Sequence, residues 1–476
     1  MAPNDKQLQA LWPNPGPSLS AETPARWPGS TPESTAAARK YLRQDYERHH
    51  GFFNYRGAHN HTPFHILVEW SLGGTPAHLE AIWNQHVDLE RFAYHSPGTI
   101  TEHTFFDHLG DEEYYQAYLY FFSDLVLRRP VKDVVEEWIF SSKANFSINN
   151  PNHHGPQPEM LNRLLAGILH PMLYLGYGLE FSLPGLVAEG LAQAAVHKVA
   201  SPVLLPKNMF DSSSMRQGRG THAFSIASRI LRDHKFSNFK GSFNEAQSKF
   251  GQDIQRYAAE WTVDGTNPKE VSKKVQELTF LNVMIYAIGG WRDGEGFHKA
   301  EFTLMHLVTS SLTLSSYMAV LTDPKAKSLL LRAYFTRSLA YYISQRRPDL
   351  PVRSFFSEPI LTEFPGPTPH PTESVYPNAT TPNLWLQIIQ SALVHPDDHL
   401  SKVQRTLAHY SSLYGNIPRG EFKDTELEGS ELIDGTLFLR TAALTMEWMG
   451  RIREGEPARY WGDDPNFPES EISDSH

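Results

Sequence analysis

Along most of this chain apolar residues recur every three or four positions. YYQAYLYFFSDLVLRR (114–129), KKVQELTFLNVMIYAIGGW (273–291), EFTLMHLVTSSLTLSSYMAVL (301–321) and SLLLRAYFTRSLAYYISQRR (328–347) each read as a helix with a broad buried face. Strand-like alternation is scarce, and the Asp-Gly pairs at 264–265, 293–294 and 434–435 suit helix–helix connections. Breakers gather at 145–158, 201–219 and 350–382; the last holds eight prolines and reads as a linker or an ordered loop over a cleft. No repeat of fixed period is visible. The pattern predicts an all-α, multi-helix single fold. An irregular arm, extended or disordered, covers 1–34, an all-helical domain carrying the chemistry covers 35–453, and an acidic, proline-broken tail covers 454–476.

Composition then removes whole classes of function. The net charge of −10 is spread thinly over 476 residues with no Lys/Arg run, which argues against a nucleic-acid partner. The longest apolar stretch, 164–181, is interrupted by His170, Pro171 and Glu180, so a soluble protein without a membrane partner is expected. The first residues carry no positive region ahead of an apolar one, so no secretory signal is expected. Cysteine is absent, which removes disulfides and thiolate ligands and suits a reducing, cytoplasmic compartment. HExxH, the P-loop, GxSxG and a helix-opening GxGxxG are all missing.

The chain nevertheless has 23 histidines, and without cysteine a transition metal would have to use imidazole and oxygen. Four contexts place histidines inside or at the start of apolar helices. In GAHNHTPFHILVEW, Pro63 suits a first turn capped by Thr62, with His61 just outside and His65 one turn before Glu69. GILHPMLYLGYGLEF holds His170, and EFTLMHLVTSSL holds His306 one turn after Phe302. In HPDDHLSK (395–402), His399 shares a face with Val403, Thr406 and Tyr410, and Lys402 borders it. Each histidine alone reads as a hydrogen-bonded core residue. Four together would need many buried partners, and one shared metal ion would serve them all. Lys402 either reaches solvent or pairs with Asp398 one turn before it. A lysine kept out of water sheds its proton more readily, and as a carbamate it becomes an oxygen ligand. Glu180, Glu189 and His197 are candidates for orienting imidazoles.

NHTPFH, GILHPMLYLGYGLEF with VAEGLAQAAVH, MHLVTSS, LLLRAYFTRSLAYYISQRRP and HPDDHLSKVQR follow one another in this order. Together, over roughly 40–450, they resemble the questin oxidase-like family of fungal polyketide pathways. The resemblance implies oxidative opening of an anthraquinone-type ring to a benzophenone-type product, with dioxygen and a small aromatic polyketide as partners. It also implies Fe(II) held by histidines and a carboxylated lysine. The matching positions are His61 or His65, His170, His306, His399 and Lys402. The family's first motif often has two adjacent histidines where this chain has Phe64-His65, so the choice between His61 and His65 stays open. Members have been described as NADPH-dependent, so a metal-independent oxidase of Baeyer–Villiger type that uses NADPH is one rival. A non-catalytic helical protein that binds a flat aromatic ligand is another.

Overall fold

The computed structural model describes residues 2–53, 58–146, 157–199, 202–211, 220–297, 299–359 and 382–461. The helices that position the site are α1 (Asp5–Leu11), α2 (Pro32–Arg48), α3 (Thr62–Ser71), α4 (Pro76–His86), α5 (Tyr115–Arg128), α6 (His170–Glu180), α7 (Pro184–Val196), α8 (Pro268–Ala287), α9 (Phe302–Ser311), α10 (Pro324–Ser344), α11 (Asp398–Tyr414) and α12 (Leu437–Met449). The fold is all-α, as the periodicity predicts. α3, α6 and α10 are buried on nearly every face, which is the signature of core helices surrounded by other helices. α6 lies against α7, and α7 against α5. Glycine permits the first crossing, because a Cβ on Gly190 would meet the backbone nitrogen of Leu175 at 2.4 Å. α11 packs on α3, α9 and α12, and His399 in its first turn meets the rings of His61, just before α3, and His306 of α9. Among the described residues no helix is long and apolar enough to cross a membrane.

Three expectations change in detail. Thr62 does not cap α3. The helix opens at His61 without a side-chain cap; Asn60 Oδ1, one residue earlier, accepts from the Thr62 N–H at 2.8 Å, while the Thr62 hydroxyl turns to Glu90. The Asp-Gly at 293–294 joins two strands rather than two helices. β1 (Trp291–Arg292) pairs antiparallel with β2 (Gly296–Phe297) across Gly294, whose φ of +77° suits a residue without Cβ. The N-terminal arm is irregular but contains α1, which opens with an Asn4–Gln7 capping box and buries Leu8, Leu11 and the following Trp12. The tail runs back over α11, where the buried Trp461 donates its backbone N–H to Asp397 Oδ2 at 3.1 Å. Most of the proline-rich 350–382 segment lies outside the described residues.

Candidate metal centre

His61, His170, His306 and His399 close a ring of four imidazoles. Successive ring centroids are 5.0 Å (His61–His170), 5.1 Å (His170–His306), 5.3 Å (His306–His399) and 4.8 Å (His399–His61) apart. α6 and α9 supply His170 and His306, α11 supplies His399, and the residue before α3 supplies His61. Each ring is held through Nδ1 on an oxygen. His170 Nδ1 lies 2.6 Å from the Gly167 carbonyl and His306 Nδ1 lies 2.9 Å from the Phe302 carbonyl. A carbonyl only accepts, so both Nδ1 atoms carry the hydrogen and both Nε2 atoms keep a lone pair. His399 Nδ1 donates to Asp397 Oδ1 at 3.0 Å, and His61 Nδ1 lies 3.0 Å from Asp398 Oδ2. Anchoring of this kind fixes tautomer and ring plane in metal sites.

The freed nitrogens then stand without donors. His399 Nε2 is buried and has no partner, and the Nε2 atoms of His61 and His170 face each other at 2.9 Å. Burial, with Lys402 next, pushes His61 down to about 3, and burial, with neighbouring histidines next, pushes His170 and His306 well below the usual value. His61, His170 and His306 are therefore neutral, the form a metal requires. Two lone pairs at 2.9 Å repel, and a shared cation turns that repulsion into ligation. Two nitrogens bound at right angles to one ion, each at about 2.1 Å, stand about 3 Å apart. The donor set fits a transition metal.

Two charged side chains complete the centre. Asp398 Oδ2 is 2.6 Å from Lys402 Nζ, and Asp398 Oδ1 is 3.3 Å from His399 Nδ1. Burial pushes the Asp398 carboxyl up, but His399, Lys402 and His61 outweigh it and hold the group well below the usual range. Lys402 does not reach solvent: it is 5% exposed and its Nζ lies 5.5 Å over the Phe64 ring. Among the described residues, His61, Asp398 and His399 each offer a ligand atom within 4.8 Å of the other two. Asp398 is the member that sequence reasoning undervalued. The signal was there, because a doubled aspartate before a histidine both caps α11 and points a second carboxylate inward.

Other singled-out residues go elsewhere. His65 sits one turn along α3 with its Nδ1 3.0 Å from His86 Nε2 and its Nε2 3.7 Å from Glu69 Oε1. Glu69 in turn holds the partly exposed His78 at 3.0 Å. His197 faces His59 Nε2 to Nε2 at 2.7 Å, and the His59 ring stacks on His170 at 4.5 Å. Glu180 forms a buried ion pair with Arg405, tying α6 to α11. Glu189 is buried near Asp45, and burial first, then that charge, pushes its carboxyl well up. His395 is satisfied by backbone at both nitrogens.

Comparison with known proteins places this chain. A family described as questin oxidase-like matches residues 58–407. The Baeyer-Villiger oxidase ptaJ of Pestalotiopsis fici is 24% identical over 82% of this chain and 83% of its own length. The questin oxidase of Aspergillus terreus is 22% identical over 83% of this chain and 84% of its own length. The questin oxidase of Aspergillus fumigatus is 31% identical, over 34% of this chain and 35% of its own.

Proposed function

The chain belongs to the questin oxidase-like family and is an oxidoreductase, and from that premise we propose a non-haem iron oxygenase of secondary metabolism. Its substrate is a flat aromatic polyketide of anthraquinone type, and the reaction cleaves a C–C bond to give a benzophenone-type product. The relatives' names, questin oxidase and Baeyer-Villiger oxidase, support the substrate class and the oxygen insertion. One observation carries the iron: four imidazoles anchored through Nδ1, with the Nε2 atoms of His61 and His170 face to face at 2.9 Å. His61, His170, His306 and His399 would hold it, with Lys402 supplying an oxygen as its carbamate. Formation of the carbamate joins carbon dioxide to the neutral amine and releases one proton. Bound Fe(II) supplies dioxygen activation and Lewis acidity. Phe302, 5.1 Å from His399, and Trp461, 6.0 Å from it, wall the centre against water. Inserting one oxygen atom beside a carbonyl consumes two electrons, which NADPH or the hydroquinone form of the substrate can provide.

The convergence of His61, Asp398 and His399 favours a second reading, in which Asp398 is the oxygen ligand and Lys402 stays an ammonium that balances it. Elemental analysis separates them. About one iron per chain in the parent, lost in Lys402→Ala and regained with added short-chain carboxylate, supports the carbamate. Loss in Asp398→Asn with retention in Lys402→Ala supports the second reading. An active parent without metal that consumes NADPH in step with product would end both.

A further inference from the structure

Three successive residues ahead of His170 are left-handed: Gly167 at φ +52°, Ile168 at +49° and Leu169 at +69°. Residues with a Cβ enter that region singly and at a cost, so such a run persists only where its surroundings impose it. Ile168 and Leu169 are buried, and Gly167 lies against two imidazoles. A Cβ on Gly167 would meet His59 Cε1 at 2.5 Å and His197 Nε2 at 2.7 Å. Those two rings are bonded to each other, Nε2 to Nε2 at 2.7 Å, and Phe52 packs on both, at 5.0 Å and 5.2 Å. Arg163 donates to the His197 carbonyl and ties the pair to the chain just before the turn.

The turn solves a problem that His170 has and His306 does not. His306 lies inside α9, and its Nδ1 finds the carbonyl of Phe302 one turn earlier. His170 opens α6 and has no α-helical turn directly before it. The left-handed run brings the Gly167 carbonyl back instead, and that oxygen accepts from both the backbone N–H and Nδ1 of His170. Pro171, the next residue, has no N–H to compete for it. The His59 ring then lies flat on the His170 ring, 4.5 Å away and 2° from parallel. One contact fixes the tautomer, the other the ring plane, and His170 Nε2 is left facing His61 Nε2.

We propose that the left-handed turn 167–169, with the His59–His197 pair that clamps it, is a positioning device that sets His170 for the metal ion before the ion arrives. The inference rests on the metal reading of the cluster, and His59 and His197 act only through His170. Co(II) is the probe, because its visible absorption bands report coordination geometry without turnover. It is titrated into the chelator-treated full chain, and competition with a chelator gives the affinity. Gly167→Ala, which drives a methyl into both rings, and His59→Leu, which removes the stacked ring, should each weaken Co(II) binding by about tenfold to a hundredfold and shift the bands. His197→Gln can still bond His59 and should regain most of the affinity that His197→Leu loses. Ile254→Ala, a core change in the helix Phe243–Ala258, lowers stability alone and should keep the parent's affinity and bands. Urea midpoints identify the variants that fold, and if Gly167→Ala does not, the two His197 variants decide. Parental affinity and bands in the turn and pair variants, equal affinity of the two His197 variants, or an equal loss in Ile254→Ala overturns the positioning role and leaves the metal reading standing. A parent that binds no Co(II), or binds it as tightly in His170→Ala, overturns the role of His170 as a ligand and the positioning role with it.

Discussion

Replacing Glu90 by Gln should stabilise the protein at neutral pH and remove a pH dependence. The side chain is 7% exposed, the Thr62 hydroxyl donates to its Oε1 at 3.2 Å, and its Oε2 has no partner. Burial first, and the Asp45 charge second, push the carboxyl from 4.5 up to about 9. Between those two values the folded protein holds a proton that the unfolded chain has released, so stability falls as pH rises through the window. The loss amounts to under about 1 kcal/mol at pH 5 and about 3 kcal/mol at pH 7. Glutamine keeps the acceptor for Thr62 and puts a donor where the protonated carboxyl had one, so the local contacts change little. The advantage of the variant over the parent should therefore grow by about 2–3 kcal/mol from pH 5 to pH 7. Urea unfolding of chelator-treated protein at pH 5, 6 and 7 measures it, since a bound cation nearby would itself lower the carboxyl. A constant difference over that range would mean that Glu90 is ionised in the folded protein, and the reasoning from burial would be refuted.

Arg405→Met should cost about 3–5 kcal/mol, because Glu180 is left as an unpaired buried charge, while Glu180→Leu with Arg405→Met should recover most of it; denaturant midpoints of the three proteins decide. Gly190→Ala should cost about 1–3 kcal/mol, since the added methyl meets the Leu175 backbone and pushes α6 off α7. His170 begins α6, so metal content in that variant should fall as well, and full metal content would show that the α6–α7 crossing does not set the cluster.

Much of the architecture was legible because helical periodicity is a local signal. The stretches 114–129, 273–291, 301–321 and 328–347 contain α5, most of α8, α9 with the helix after it, and nearly all of α10. The hairpin at 291–297 escaped because two-residue strands leave no alternation to read. His61, His170, His306 and His399 stood out for a physical reason: imidazoles inside apolar runs need partners. What the sequence could not give was which partner each finds. His65 lies one turn into the apolar helix that His61 precedes, yet its Nδ1 goes to His86, at the end of a helix whose polar composition suggests a surface role. One turn of α3 separates a cluster residue from a residue that is not in the ring.

Asp398 and Lys402 show where spacing stops being informative. At i and i+4 on an exposed helix such a pair contributes about 0.3–0.5 kcal/mol and carries no functional meaning. The fold buries both side chains, to 15% and 6% exposure, and sets His61 and His399 against the carboxylate. Burial makes loss of either partner a matter of several kcal/mol. The same burial creates the chemical ambiguity at the site. Lys402 Nζ is paired with the Asp398 carboxylate at 2.6 Å, whereas carbamate formation needs the neutral amine and a metal to hold the product. On the carbamate reading His61, His170, His306 and His399 would hold a cation beside Asp398, so its carboxylate would be shared between that cation and Lys402. That reading links metal binding to lysine carboxylation, and it predicts that iron affinity rises with dissolved carbon dioxide in the parent but not in Lys402→Ala.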